Sequence, residues 1–177
     1  MKKSIILILV LLLLSFGCLG NDPKLAIYSA SINSCQNGNF SNCHSLSSMS
    51  LKERLLGPEP YLHVILVNEG NSYIDADNIS FGIIGNIFKE NDWKKYHFRN
   101  VAWYVDPQTN EHKKFTKRFI ENKNDTVQIY LDLSSLKEEL FLVGASNKPS
   151  LNLRVYYNGE PLYALDRKVS AENLYTN

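Results

Sequence analysis

The chain has almost no net charge: 19 Lys and Arg stand against 18 Asp and Glu, a formal charge of +1 over 177 residues. The electrostatic footprint that a nucleic-acid binder carries is missing, so no nucleic-acid partner is expected. Groups suited to catalysis are also scarce. The four histidines, His44, His63, His97 and His112, sit in no nucleophile motif, and there is neither a glycine-rich phosphate loop nor a zinc-binding helix pattern. No enzymatic activity and no cofactor are expected from these letters. His63, mid-strand beside Val64, reads as a packed or half-exposed strand residue, and His112, in a polar run, reads as solvated. A long apolar run is lacking too. The one candidate begins at Ile5 and reaches about Gly20 before Asn21, Asp22 and Pro23 interrupt it, which is short of the roughly 20 apolar residues of a permanent span.

That short run is nevertheless the most informative stretch. Lys2 and Lys3 precede an unbroken apolar segment from Ile5 to Leu14, followed by small residues and Cys18. This is the layout of an export signal. It divides the chain into a leader at residues 1–17, an anchor and tether at 18–24, and a single extracytoplasmic domain at 25–177. The segment Leu14-Ser15-Phe16-Gly17-Cys18 resembles the lipobox of prokaryotic, archaeal-type membrane lipoproteins, with Ser15 where that family usually carries leucine. The resemblance implies a thioether-linked lipid on Cys18, which becomes the first residue after cleavage, and a domain held at the outer face of the cell membrane. Each buried methylene of such a lipid contributes about 0.8 kcal/mol, so two chains suffice as an anchor. An ordinary signal peptide, or an uncleaved anchor with Cys18 merely nearby, is the competing reading of the same residues.

Three cysteines make an odd count, which resolves as one lipid on Cys18 and one disulfide between Cys35 and Cys43, a bond that persists only outside a reducing cytosol. A metal pair helped by His44 is the alternative, without the close ligand pairs of structural zinc sites. Asn39, Asn78 and Asn124 open Asn-x-Ser/Thr triplets and are acceptor sites if the host glycosylates its surface proteins.

Hydrophobic content of 44% with 11% aromatics describes a packed chain, and its many Tyr, Ile and Val favour strands. Leu25 to Ile32 reads as a first strand, residues 33–50 as a polar Ser/Asn-rich loop, and Ser50 with Glu53 as the capping box of a short helix ended by Gly57-Pro58. Tyr61 to Val67 is apolar on both alternating sets and suits a strand covered on two sides, followed by a turn at Asn68-Glu69-Gly70-Asn71. Ile79 to Ile84 reads as another strand, with further strands near 95–105. Phe115 to Ile120 and Val127 to Leu131 flank a polar turn and read as a hairpin. Ser135 with Glu138 opens a second short helix over Leu136 to Leu140. Leu151, Leu153 and Val155 alternate with polar residues before Asn158-Gly159, a type I′ turn signal, and Leu162 to Val169 returns as the partner strand.

These elements predict a mainly β, antiparallel sandwich with one or two short helices. The strand ending in Val67-Asn68-Glu69-Gly70-Asn71, the step Leu131-Asp132-Leu133-Ser134 and the hairpin Tyr156-Tyr157-Asn158-Gly159 together resemble the immunoglobulin-like sandwiches of prokaryotic surface proteins, over about Leu25 to Val169. The inter-sheet cysteine pair of antibody domains is missing, because Cys35 and Cys43 are too close in sequence. Two surface constellations stand out. Glu69, Asp75, Asp77 and Asn78 offer oxygens to a calcium ion, though solvated turn residues are the preferred reading and no metal site is expected. Trp93, Lys94, Lys95 and Tyr96 suit a stacking platform for sugar or protein, with core packing preferred. The function expected is a non-catalytic interaction or structural module beside a neighbouring membrane or envelope protein. The alternative is a lipoprotein that binds carbohydrate or a small solute in a cleft lined by Trp93, Trp103 and tyrosines.

Overall fold

The computed structural model describes residues 24–36, 39–45, 57–85, 93–106, 108–137 and 150–170. The leader with Cys18, the helix read at Ser50 to Gly57 but for its last residue, and the helix read beyond Lys137 lie outside the described residues. The strands are β1 (Leu25–Gln36), β2 (Asn39–Ser45), β3 (Glu59–Asn68), β4 (Ile74–Asp75) and β5 (Ile79–Gly85). They continue with β6 (Lys94–His97), a single helical turn α1 (Phe98–Val101), β7 (Ala102–Val105), β8 (His112–Lys114) and β9 (Phe119–Ile120). The last are β10 (Thr126–Asp132), β11 (Ser150–Tyr157), β12 (Glu160–Pro161) and β13 (Arg167–Ser170).

Two antiparallel sheets result. One runs β2-β1-β3-β10-β7-β8; the other runs β12-β11-β5-β6, with β13 also paired to β11. Taken in chain order, β1, β3, β10 and β7 occupy the A-B-E-D positions of an immunoglobulin-like sandwich, and β6, β5, β11 and β13 occupy C′-C-F-G. The chain is therefore a β-sandwich by its own strand order.

Alternation explains why the sheets face each other. In β3 every second residue is buried, from Pro60 through Leu62, Val64 and Leu66 to Asn68. In β11 the buried set is Leu151, Leu153 and Val155. These meet Phe81 and Ile83 of β5 and Val127, Ile129 and Leu131 of β10 in one core. Phe98 of α1 extends it toward Phe115, edge-on at 5.4 Å. The first strand keeps its apolar residues inward only through a bulge. Leu25 and Ile27 face the core before the register shift at Tyr28, and Ile32 and Ser34 after it. The extra residue switches the parity and leaves Tyr28 79% exposed.

The final hairpin forms as read, with Asn158 at φ 53° and Gly159 at φ 83°. Its return strand is interrupted by a 3-10 turn at Tyr163–Leu165 between β12 and β13. Three readings are corrected. Residues 33–36 and 39–45 are not loop: they pair as β1 and β2, with Cys35 directly opposite Cys43, so ladder pairing overrides the low strand propensity of Asn and Ser. Phe119–Ile120 does not form a hairpin with β10. It pairs instead with β4, because both edges of β10 are occupied by β3 and β7. β3 is fully buried on its inward face only; Tyr61, His63, Ile65 and Val67 on the other face are half-buried.

Candidate functional site

The outer face of the first sheet is where side chains with chemical potential converge. The β1–β2 hairpin is joined by the Cys35–Cys43 disulfide, and closing so short a loop contributes about 2.5 kcal/mol by the chain-entropy estimate. The hairpin bends across the sheet. Phe40 of β2 stacks on Tyr130 of β10 at 3.9 Å and meets Trp103 of β7 edge-on at 4.8 Å and Tyr61 of β3 at 5.2 Å. Ser41 reaches the far edge strand, its Oγ 3.2 Å from Nδ1 of His112. His63 stacks on the other side of this group, 4.6 Å from the Tyr130 ring.

Beneath the arm, hydrogen bonds centre on one amide oxygen. Gln128 Oε1 accepts from the Tyr130 hydroxyl at 2.7 Å and lies 3.0 Å from His63 Nε2 and 3.3 Å from His112 Nε2. Asn33 Nδ2, a donor, faces His63 Nδ1 at 3.3 Å. For His63 the consistent assignment is the neutral imidazole with its proton on Nε2 and Nδ1 accepting from Asn33, while the Nε2 of His112 also lies 3.2 Å from the Tyr130 hydroxyl. Burial lowers the His63 pKa below its ordinary 6.5, the neighbouring His112 adds to the effect, and the bond to Gln128 opposes it. Burial likewise raises the Tyr130 pKa. Ser41 and His112 form a hydroxyl–imidazole pair, but the group on the far side of His112 is an amide, Gln128, in place of the carboxylate that stabilises an imidazolium in hydrolytic triads.

A pH dependence follows. An imidazole whose folded pKa lies below its unfolded value resists the proton that the unfolded chain accepts, so stability present above pH 6.5 is lost as pH falls through the folded pKa. Thermal melts from neutral pH down to about pH 5 should show the melting temperature falling, with a flatter profile in His63→Gln. Equal slopes in the two proteins would remove His63 from the explanation.

The remaining candidates fall in several places. His112 is half-buried in β8 rather than solvated, because the arm covers it. His44 and His97 are exposed. Asn39 opens β2, exposed; Asn124 occupies an exposed turn with φ 68°. Asn78 is half-buried and its carbonyl accepts from Asn158 N at 2.9 Å. Asp75 and Asp77 face arginines: Arg118 lies 3.5 Å from Asp75, and Arg99 holds Asp77 through two donors, lowering the pKa of that carboxyl. Glu69 lies in the preceding turn, exposed, and no group of three metal-ligating side chains occurs among the described residues. A shallow depression of about 320 Å³ opens beside the Asp77–Arg99 pair, with His97, Phe98 and Asn100 on its wall.

Neither tryptophan is in the core. Trp103 is half-buried under Phe40, and Trp93 lies on the outer face of the second sheet, where the missing side chain of Gly82 makes room for it. A Cβ on Gly82 would come within 3.0 Å of the Trp93 ring. Register fixes the rest of that face. Arg154, Gly82 and Lys95 are cross-strand partners in its middle row; Tyr156, Ser80 and His97 flank them on one side, Lys168, Asn152 and Ile84 on the other. The Arg154 guanidinium is sandwiched between Trp93 and Tyr163, 4.6 and 4.7 Å from their ring centres, and Asp166 grips it from the side at 2.6 Å. Sequence reading missed Phe40, Gln128 and Arg154. The outward position of Gln128 was visible in its alternation with Val127 and Ile129, but what lies above it was not.

No family model and no curated protein matches the chain. A similar solved structure is an uncharacterised β-sandwich protein from Clostridium difficile 630, with a TM-score of 0.43 and 9% identity, over 85% of this chain and 86% of that one.

Proposed function

We propose that this chain is a cell-surface lipoprotein, anchored through Cys18, whose β-sandwich acts as a non-catalytic interaction module. The observation that carries the reading is the distribution of side chains. The space between the sheets is filled by aliphatic and aromatic residues, so the described residues offer a partner the outer surfaces of the sheets. Among the described residues the partners of His112 are Ser41, Gln128 and Tyr130, with no carboxylate, which also favours a binding role over hydrolysis. The tether supports a neighbour in the same membrane: residues 19–23 extend at most roughly 17 Å, and Lys24 enters the domain beside the turn after β3, where Glu69 N donates to its carbonyl at 2.6 Å. In this reading that end is turned toward the bilayer, and the outer face of the second sheet, with Lys95 and Lys168 exposed, is turned away from the arm that covers the first.

The test is recovery of the full chain from detergent-solubilised membranes. A stoichiometric protein or cell-wall component retained through washing is the expected result; recovery of the chain alone contradicts the interaction role. A second reading, carbohydrate binding, is favoured by the Trp93–Arg154–Tyr163 stack on an open face.

A further inference from the structure

We infer that the outer face of the β6-β5-β11-β13 sheet binds an acidic polysaccharide. The inference rests on the surface-module reading and names its partner. Three observations carry it.

The first is a platform. Trp93 and Tyr163 are held on either side of a guanidinium that Asp166 and the strand register fix in place. Tyr163 is 66% exposed. The exposed Tyr163 ring, immobilised before binding with Trp93 bracing the guanidinium behind it, offers stacking area to the C–H face of a sugar at little entropic cost.

The second is charge. None of the nine outward register positions named above carries a carboxylate, although the chain as a whole has 18 acidic residues against 19 basic ones. Asp166 neutralises Arg154, so among the described residues the cations of this face that remain for a ligand are Lys95 and Lys168, both exposed.

The third is span. Lys95 and Lys168 lie on β6 and β13, three strand spacings or about 14 Å apart across the sheet and one register row apart along it. An oligosaccharide with several carboxylates covers that distance across the rings; a single sugar does not. Other polymers fit less well. A protein partner needs a desolvated apolar centre, whereas the centre here is Gly82 and an ion pair. Nucleic-acid binding depends on neutralising many phosphates, and the described residues of this face supply two exposed lysines beyond the Arg154–Asp166 pair.

The test uses the detergent-solubilised full chain in affinity electrophoresis through gels containing polygalacturonate, dextran, polyglutamate or single-stranded DNA. Retardation by polygalacturonate alone, weakened by salt, is expected. The double variant Lys95→Ala with Lys168→Ala should lose about tenfold in affinity, the sum of two exposed charge contacts, and Trp93→Ala should lose binding as well. Lys117→Ala, near β9 and away from this sheet, should bind unchanged. The lysine variants alter exposed groups only, so unchanged melting temperatures keep the result interpretable if Trp93→Ala fails to fold. No retardation by polygalacturonate, equal retardation by any of the other three polymers, or full binding by the lysine double variant would overturn the inference. Because binding is read in solution, failure here leaves the membrane anchoring and the protein-partner test untouched.

Discussion

Cys18→Ser is expected to move the protein out of the membrane fraction, or to leave an unprocessed precursor that carries no lipid label. Without the thiol no thioether can form, and the apolar run from Ile5 to about Gly20 is too short to hold the chain as a permanent span. The effect should be close to complete. A single acyl chain binds membranes only marginally, two bind stably, and removing both at about 0.8 kcal/mol per methylene takes away essentially all of the affinity. Fractionation by ultracentrifugation with lipid labelling checks it, with the unaltered chain alongside. Unchanged processing and labelling in the variant would count against the anchor.

Asn68→Ala should cost about 3 kcal/mol, which lowers the melting temperature by roughly 6 to 12 °C in a domain of this size. Asn68 is fully buried at the end of β3. Its Nδ2 donates to the Ser72 carbonyl at 3.0 Å and lies 3.5 Å from the Ile120 carbonyl, and its Oδ1 accepts from Gly70 N at 2.9 Å. One amide thereby fastens the turn after β3 to β9, while its backbone binds Asp125 and Asn124. Alanine leaves those groups without their partner in a place water does not reach. Asn71→Ala, an exposed change in the same turn, should move the melting temperature little. Matching losses in the two variants, measured by circular dichroism, would show that the buried amide has no special role.

Asn68 also marks how far the sequence can be read. The turn at Asn68-Glu69-Gly70-Asn71 is legible because its residues are turn formers in a row. That the first of them points its amide inward, across to Ile120, is a long-range fact that no local pattern encodes. The last hairpin was legible for the same local reason: Leu151, Leu153 and Val155 alternate, and Asn158-Gly159 tolerates positive φ. Strand partners were less so. Val127 to Leu131 and Phe115 to Ile120 look like neighbours across a short turn, yet β10 is a central strand whose partners come from residues far away in the chain. The outer faces were the hardest to read. Trp93 and Trp103 are of a type common in cores, yet register opposite Gln128 turns Trp103 outward beneath Phe40, and Trp93 packs over Gly82 on the outer face of the other sheet. Asn and Ser in residues 33–45 suggest a loop, yet ladder pairing with a cross-strand disulfide makes 33–36 and 39–45 two paired strands.

The most direct measurement is the intact mass of the chain extracted from native membranes, taken without reductant. The account predicts a polypeptide that begins at Cys18, heavier than its residues by a lipid, with Cys35 and Cys43 resistant to thiol-blocking reagents until reduced. An unmodified chain still beginning at Met1, with all three thiols free, would contradict it.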